Sequence, residues 1–269
     1  IQVLTQRSIT IPALNVSITS SVPIGAGLSS SAALEVAMLR GLRSLLNLDL
    51  SDVQIAQLGQ QAEQHYAGVQ CGIMDQMASS LADTNHLLFL DTRTLERQLL
   101  PFPAGSEMVV IDSGIPRTLA GSGYNQRRAE CAAAAQQLGV RALRDVEDVA
   151  AIANLPAPLK QRARHVITEN NRVLAVRRGV STEQFGQLMN DSHTSLREDY
   201  AVSVEGLDRL VAILQTIPGV FGARLTGAGF GGACVALVKA GQAETIATQA
   251  LVAYNRAGFT GKILVPTIR

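Results

Sequence analysis

The residues of this chain with types and spacing suited to chemistry fall in a glycine–serine loop, a pair of acids and a second glycine cluster. The loop is Pro23–Ala33 (PIGAGLSSSAA), which sets Gly25, Gly27, Leu28 and three serines, Ser29, Ser30 and Ser31, ahead of a run of strong helix formers. Glycines let backbone N–H groups approach a ligand, hydroxyls donate, and the first turn of a helix leaves N–H groups unpaired at its positive dipole end. That combination seats an anion, phosphate above all. The plainer alternative is an ordinary serine-capped helix start. Two other phosphate loops fail on the residues. The P-loop needs a Lys directly after its last Gly, and the first Lys of the chain is Lys160. The dinucleotide fingerprint needs a third Gly where Ser30 stands, and no acidic ribose partner stands out about 20 residues on.

The two acids are Glu63 and Asp75. Glu63 falls near the end of a predicted helix, and Asp75 in or near the first turn of the next. Taken singly, each has an undemanding explanation: an acid in a first helical turn is favoured by the dipole alone, and Glu63 reads equally as a surface acid. The second glycine cluster, Gly227, Gly229, Gly231 and Gly232, precedes a strand over Ala233–Val238. It is either part of a ligand site or a tight turn that lets two backbones pack closely.

The elements that must position these residues follow from periodicity. Leu14–Ser20 alternates apolar and polar residues, the period of a half-buried strand, and the helix after the loop carries Leu34, Met38, Leu42 and Leu45 at helical spacing. Ser51-Asp-Val-Gln54 is a capping-box start for a second helix that runs towards Tyr66 and stops at Gly68. Leu87–Leu90 and Glu96–Phe102 form a hairpin around Asp91–Thr94, and Pro103–Ser106 is the best linker. The predicted domains are therefore 1–103 and 104–269. Beyond the linker come a strand over Met108–Asp112, a polar loop over 117–123 and a helix opening at Tyr124. Helical stretches over Leu143–Val176 (broken at Leu155–Pro158), Thr182–Asp191 and Ser203–Ile217 follow, then a helix over Ala243–Asn255 and a strand over Lys262–Val265.

Composition limits the class. The chain has 269 residues, 47% apolar and 17% charged, enough to bury a sizeable core in one large or two medium domains. A net charge of +1 argues against a nucleic-acid footprint, and Arg127-Arg128 and Arg177-Arg178 read as solvated helix faces. No apolar run approaches the ~18 residues of a membrane span, and no secretory leader is recognised. Three cysteines are too few and too scattered for a disulfide framework, and four histidines show no metal spacing. The expected location is the cytoplasm. The chain opens on Ile1 rather than Met, so an N-terminal part is expected to be missing from it.

Three separated motifs resemble, in order, those of the GHMP small-molecule kinases. Pro23–Ala33 is similar to their phosphate-cradling motif, Gly72-Ile-Met-Asp-Gln76 to the galactokinase form of the catalytic aspartate segment, and Leu225–Gly232 to the motif that packs beside the phosphate loop. Ser192–Tyr200 and Tyr124–Arg128 also resemble galactokinases, so the resemblance spans nearly the whole chain. It implies an α+β, two-lobed fold: an N-terminal lobe of mixed sheet and helices, a ferredoxin-like C-terminal lobe with extra helices, and an active site in the cleft. It implies transfer of the γ-phosphate of ATP to the C1 hydroxyl of galactose, with Asp75 as base or alkoxide stabiliser and Mg²⁺ held by Ser31 and Glu63. Gly25, Gly27, Leu28, Ser29, Ser30, Ser31, Gly227 and Gly229 would bind phosphate, and Gly72, Asp75 and Tyr124 the sugar. Galactokinases begin with a segment whose Arg, Glu, His and Asp residues bind the sugar and pair with the aspartate, and nothing in Ile1–Ser21 matches it. A GHMP kinase for another sugar, such as a uronic acid or a heptose, and a non-catalytic sugar and nucleotide sensor acting through a partner protein both stay open.

Overall fold

The computed structural model describes residues 1–68, 70–116 and 120–266. These form two compact units, one of Ile1–Ile24 with Leu28–Phe102, the other of Gly25–Gly27 with Pro103–Arg269.

The first unit runs α1 (Gln2–Thr5), α2 (Ser30–Leu45), α3 (Asp52–Ala62), a π-helical turn (Glu63–Ala67), α4 (Met74–Leu81) and an antiparallel hairpin, β1 (His86–Leu90) with β2 (Arg97–Pro101). The capping box at α3 is formed as its sequence dictates. Gln54 N donates to Ser51 Oγ at 3.3 Å and Ser51 N to Gln54 Oε1 at 2.7 Å, which satisfies two of the helix's orphan donors. The hairpin turn closes on Asp91, whose carboxylate accepts from the backbone N–H groups of Arg93 and Thr94 at 2.8 and 3.0 Å. Val3, Leu4, Val36, Leu39, Leu42, Ile55 and Leu58 make the core under these helices, each contributing about 1.5–3 kcal/mol by leaving water.

Two expectations change here. The buried stripe of α2 is Ala32, Val36, Leu39 and Leu42, while Leu34 and Leu45 are exposed. Leu42 of the expected stripe is buried and Met38 packs against the core, so the leucine spacing marked one edge of the buried face rather than its centre. Leu14–Ser20 forms no ladder among the described residues. Its alternating pattern is that of a strand, but a strand's N–H and C=O groups need a neighbouring strand to pair with. Its apolar side chains Leu14, Val16 and Ile18 instead line an open groove of about 440 Å³ against Leu34, Met38 and Leu45 of α2.

The second unit runs β3 (Ser106–Asp112), α5 (Ala120–Gln137), two short 3₁₀ turns, α6 (Leu159–Arg178), α7 (Thr182–Glu198), α8 (Glu205–Thr216), β4 (Val220–Leu225), β5 (Ala233–Lys239), α9 (Ala243–Arg256) and β6 (Lys262–Val265). The sheet order is β4-β5-β3-β6, antiparallel throughout. With helices between β3 and β4 and α9 between β5 and β6, this is the ferredoxin-like βαββαβ arrangement with added helices. Its core joins Val109 and Ile111 of β3 to Leu207, Leu210 and Leu214 of α8 and to Ile246 and Tyr254 of α9. β4 was not expected from the sequence, because Gly222 and Arg224 interrupt its alternation. The glycine is explained by its neighbour: a Cβ on Gly222 would lie 1.9 Å from the carbonyl oxygen of Gly186 on α7, so the helix crosses the strand backbone to backbone.

Residues 117–119 of the expected polar loop lie outside the described residues. From Ala120 the chain is already helical, so α5 begins four residues before Tyr124. Arg127 is also not a solvated side chain. It donates to Glu130 at 3.1 Å and to the carbonyls of Tyr200 and Ala201 at 2.6 and 2.9 Å. Glu130 in turn takes Arg162 Nε at 2.6 Å, and these arginines hold its carboxyl below the usual range against the opposing effect of burial.

Candidate active site

Three elements of the first unit bring side chains together at one place. The first is the N-terminus of α2. Ser29 takes a left-handed backbone angle (φ +55°), as do Gly25 and Gly27 just before it (φ +78° and +81°), which group with the second unit. Ser29 is the N-cap and makes no side-chain capping bond, so the first N–H groups of α2 remain available to an anion. Ser29 and Ser30 thus offer backbone N–H groups, while Ser31 offers its hydroxyl.

The second element is the junction of α3 with the π turn. A π turn widens a helix by one residue per turn and is frequent at functional sites. This one begins at Glu63. Ser31 Oγ donates to Glu63 Oε1 at 2.9 Å and lies 3.2 Å from Oε2. The two residues that the resemblance assigned to a cation are therefore in contact, although 32 positions apart.

The third element is the first turn of α4, where Asp75 is half-buried and Gln76 is buried. Gln76 Nε2 donates to Glu63 Oε2 at 3.0 Å and to Glu35 Oε2 at 3.1 Å. Burial raises the Glu35 carboxyl to about 7, the Gln76 hydrogen bond opposes that shift, and the charges of Glu63 and Asp75 add to it. The Cys71 thiol is also pushed up, by burial first and then by the negative charge of Glu63 and Glu35, which disfavours its thiolate. Gly72 sits exposed in the loop before α4, and a Cβ there would meet open space.

A hydroxyl and a carboxylate oxygen side by side suit a hard divalent cation that completes its shell with phosphate oxygens and water. No group of three or more His, Cys, Asp or Glu side chains among the described residues would hold a metal without such help.

Tyr124, Gly227 and Gly229 belong to the second unit. Tyr124 is half-buried on α5. Gly227 and Gly229 lie in the turn from β4 to β5, where close backbone packing is plainly present. A Cβ on Gly229 would fall 2.3 Å from the carbonyl oxygen of Val202, and the next residue, Phe230, donates its N–H to that oxygen at 2.7 Å. Glu35 and Gln76 escaped the sequence reading as site residues. Two signals were available: Glu35 is the one acid on an otherwise Ala/Leu-rich helix, and Gln76 directly follows Asp75.

Comparison with known proteins places these features in a family. Residues 1–83 match the description "GHMP kinases N terminal domain" and residues 177–255 match "GHMP kinases C terminal". The chain is 47% identical over 260 residues to a galactokinase of Roseiflexus sp. (strain RS-1), covering 92% of this chain and 66% of that one. It is 43% identical over 273 aligned positions to a galactokinase of Chloroflexus aurantiacus, covering 97% and 70%. A crystal structure of Lactococcus lactis galactokinase complexed with galactose superposes with a TM-score of 0.84 at 34% identity, covering 90% of this chain and 66% of that one. The chain thus spans about two thirds of the length of these relatives.

Proposed function

This chain belongs to the galactokinases of the GHMP kinase family, and from that premise we propose that the protein carrying it phosphorylates galactose at the C1 hydroxyl with ATP. The observation that carries the proposal is the contact of Ser31 with Glu63 at the N-terminus of α2, with Asp75 rising from the adjoining helix.

The roles proposed for the residues rest on the resemblance together with the Ser31–Glu63 contact. Gly25, Gly27, Leu28, Ser29 and Ser30 bind the β- and γ-phosphates through backbone N–H groups, and the positive end of α2 favours their charge. Ser31 Oγ and Glu63 would hold Mg²⁺, and the bound cation would supply neutralisation of the phosphate charge. Asp75 accepts the proton of the sugar hydroxyl as that oxygen bonds to the γ-phosphorus and the bond from phosphorus to the β–γ bridging oxygen breaks, releasing ADP. Phosphoryl transfer asks mainly for positioning and charge stabilisation, so a single carboxylate acting as base is sufficient on the protein side. The family resemblance assigns Gly72 and Tyr124 to the sugar and Gly227 and Gly229 to phosphate. The three cysteines are free thiols, and no helix among the described residues is long and apolar enough to cross a membrane. Both observations are compatible with a cytoplasmic enzyme.

The test offers a panel of monosaccharides with ATP and Mg²⁺ to the intact protein and follows ADP release. Galactose should support the fastest turnover, and Asp75→Asn should remove it while nucleotide still binds. Preference for another sugar would reassign the substrate. Nucleotide and sugar binding without turnover would replace the kinase by a sensor, and full activity of Asp75→Asn would end its role as base.

A further inference from the structure

Gln76 has no part in the chemistry above, yet its side chain is only 1% exposed and reaches two acids from two different elements. Its Nε2 gives one hydrogen to Glu63 Oε2 at 3.0 Å and the other to Glu35 Oε2 at 3.1 Å. The reverse orientation of the amide would set its carbonyl oxygen against the Glu63 carboxylate, and the Glu63 contact therefore favours the orientation seen. The other end, Oε1, is buried without a hydrogen-bond partner among the described residues. A buried, unpaired carbonyl is costly, and an apolar residue of similar size would avoid that cost. Packing alone therefore does not account for a glutamine here.

Room for the arrangement comes from α3. Gly59 faces the pair, and a Cβ there would stand 3.2 Å from Gln76 Cγ and 3.3 Å from Glu35 Oε2, tighter than ordinary contact. The missing side chain on α3 and the buried amide on α4 serve one geometry.

We propose that Gln76 is a positioning residue that holds the Glu63 carboxylate against the Ser31 hydroxyl, setting the cation-binding oxygens before nucleotide arrives. It rests on the reading of Ser31 and Glu63 as the cation site. Because Gln76 follows Asp75 in the first turn of α4, the same side chain ties the cation site to the helix that carries the base. A partner of this kind, one hydrogen bond behind a metal ligand, typically changes metal affinity or activity by about 10–100-fold when removed.

The experiment measures binding of a non-hydrolysable ATP analogue to the intact protein by calorimetry, with Mg²⁺ and again with a chelator, in the absence of sugar. Gln76→Leu keeps the bulk and loses the amide; Gln76→Glu keeps the shape and loses the donors. Both should weaken Mg²⁺-dependent binding roughly 10–100-fold, and leave metal-free binding within about twofold and the KM for sugar unchanged. Equal loss with and without Mg²⁺, or no loss in either variant, overturns the proposal. Should neither variant fold, Gly59→Ala keeps the amide but crowds it and should weaken only the Mg²⁺-dependent term; unchanged Mg²⁺ dependence there is likewise refuting. If the parent protein itself shows no Mg²⁺-dependent nucleotide binding, the cation-site reading fails first, which separates the two failures.

Discussion

Replacing Ser31 by alanine separates the cation site from the fold. The hydroxyl sits on an exposed residue in the first turn of α2 and donates to Glu63 at 2.9 Å, with no other hydrogen-bond partner among the described residues. Losing one exposed hydrogen bond costs about 0.5–1.5 kcal/mol. Alanine returns about half a kcal/mol in helix propensity. The net change in folding stability should therefore stay within about 1 kcal/mol. Binding is a different matter. A hydrogen-bonding oxygen that serves a charged group is worth about 1.5–3 kcal/mol, which at 1.4 kcal/mol per decade is roughly 10–100-fold in affinity. Calorimetric titration with a non-hydrolysable ATP analogue should show that loss in Mg²⁺ and almost none in a chelator. Ser31→Thr, which keeps the hydroxyl, should lie close to the parent. An equal loss in chelator would mean that Ser31 contacts phosphate directly rather than the cation. No loss at all would refute the pairing of Ser31 with Glu63 as a metal site.

Two further predictions concern the second unit. His165 is buried, stacks on Tyr200 with centroids 4.3 Å apart, and has its pKa driven from 6.5 to about 4, chiefly by burial. The unfolded chain takes up that proton at higher pH than the folded one, so stability should fall as pH drops from 6.5 towards 4 and level off below. The full loss is about 3 kcal/mol. Denaturant unfolding at pH 7 and pH ~4.5 should show most of it, and His165→Asn should flatten the dependence; an unaltered slope in the variant would assign the effect elsewhere. Gly186→Ala would put a Cβ 2.3 Å from the carbonyl carbon and oxygen of Phe221, both backbone atoms. Overpacking of about 1–3 kcal/mol or more should outweigh the ~1 kcal/mol gained in helix propensity, so stability equal to the parent's would show that α7 shifts without cost.

What the sequence determined by itself was mostly local. The capping box at Ser51–Gln54, the Asp91 turn, the stop at Gly68 and the helix start after the serines each depend on residues within a few positions, where side chain and backbone meet regardless of the rest of the fold. The glycine and serine composition of Pro23–Ala33 likewise suggested an anion seat before any element was placed. Tertiary structure decided what depends on partners far along the chain. The centre of α2's buried face was set by its packing on α3 and α4, and Leu14–Ser20 shows a strand's pattern without a ladder because pairing needs a neighbour. β4 was hidden by a glycine whose reason is a helix crossing it, and Arg127 left the surface because Glu130 and two carbonyls meet it. The candidate site shows the same division. Glu63 and Asp75 were legible as acids near helix ends, but the hydroxyl of Ser31 meeting Glu63, and the buried amide of Gln76 joining it to Glu35, exist only because α2, α3 and α4 pack together.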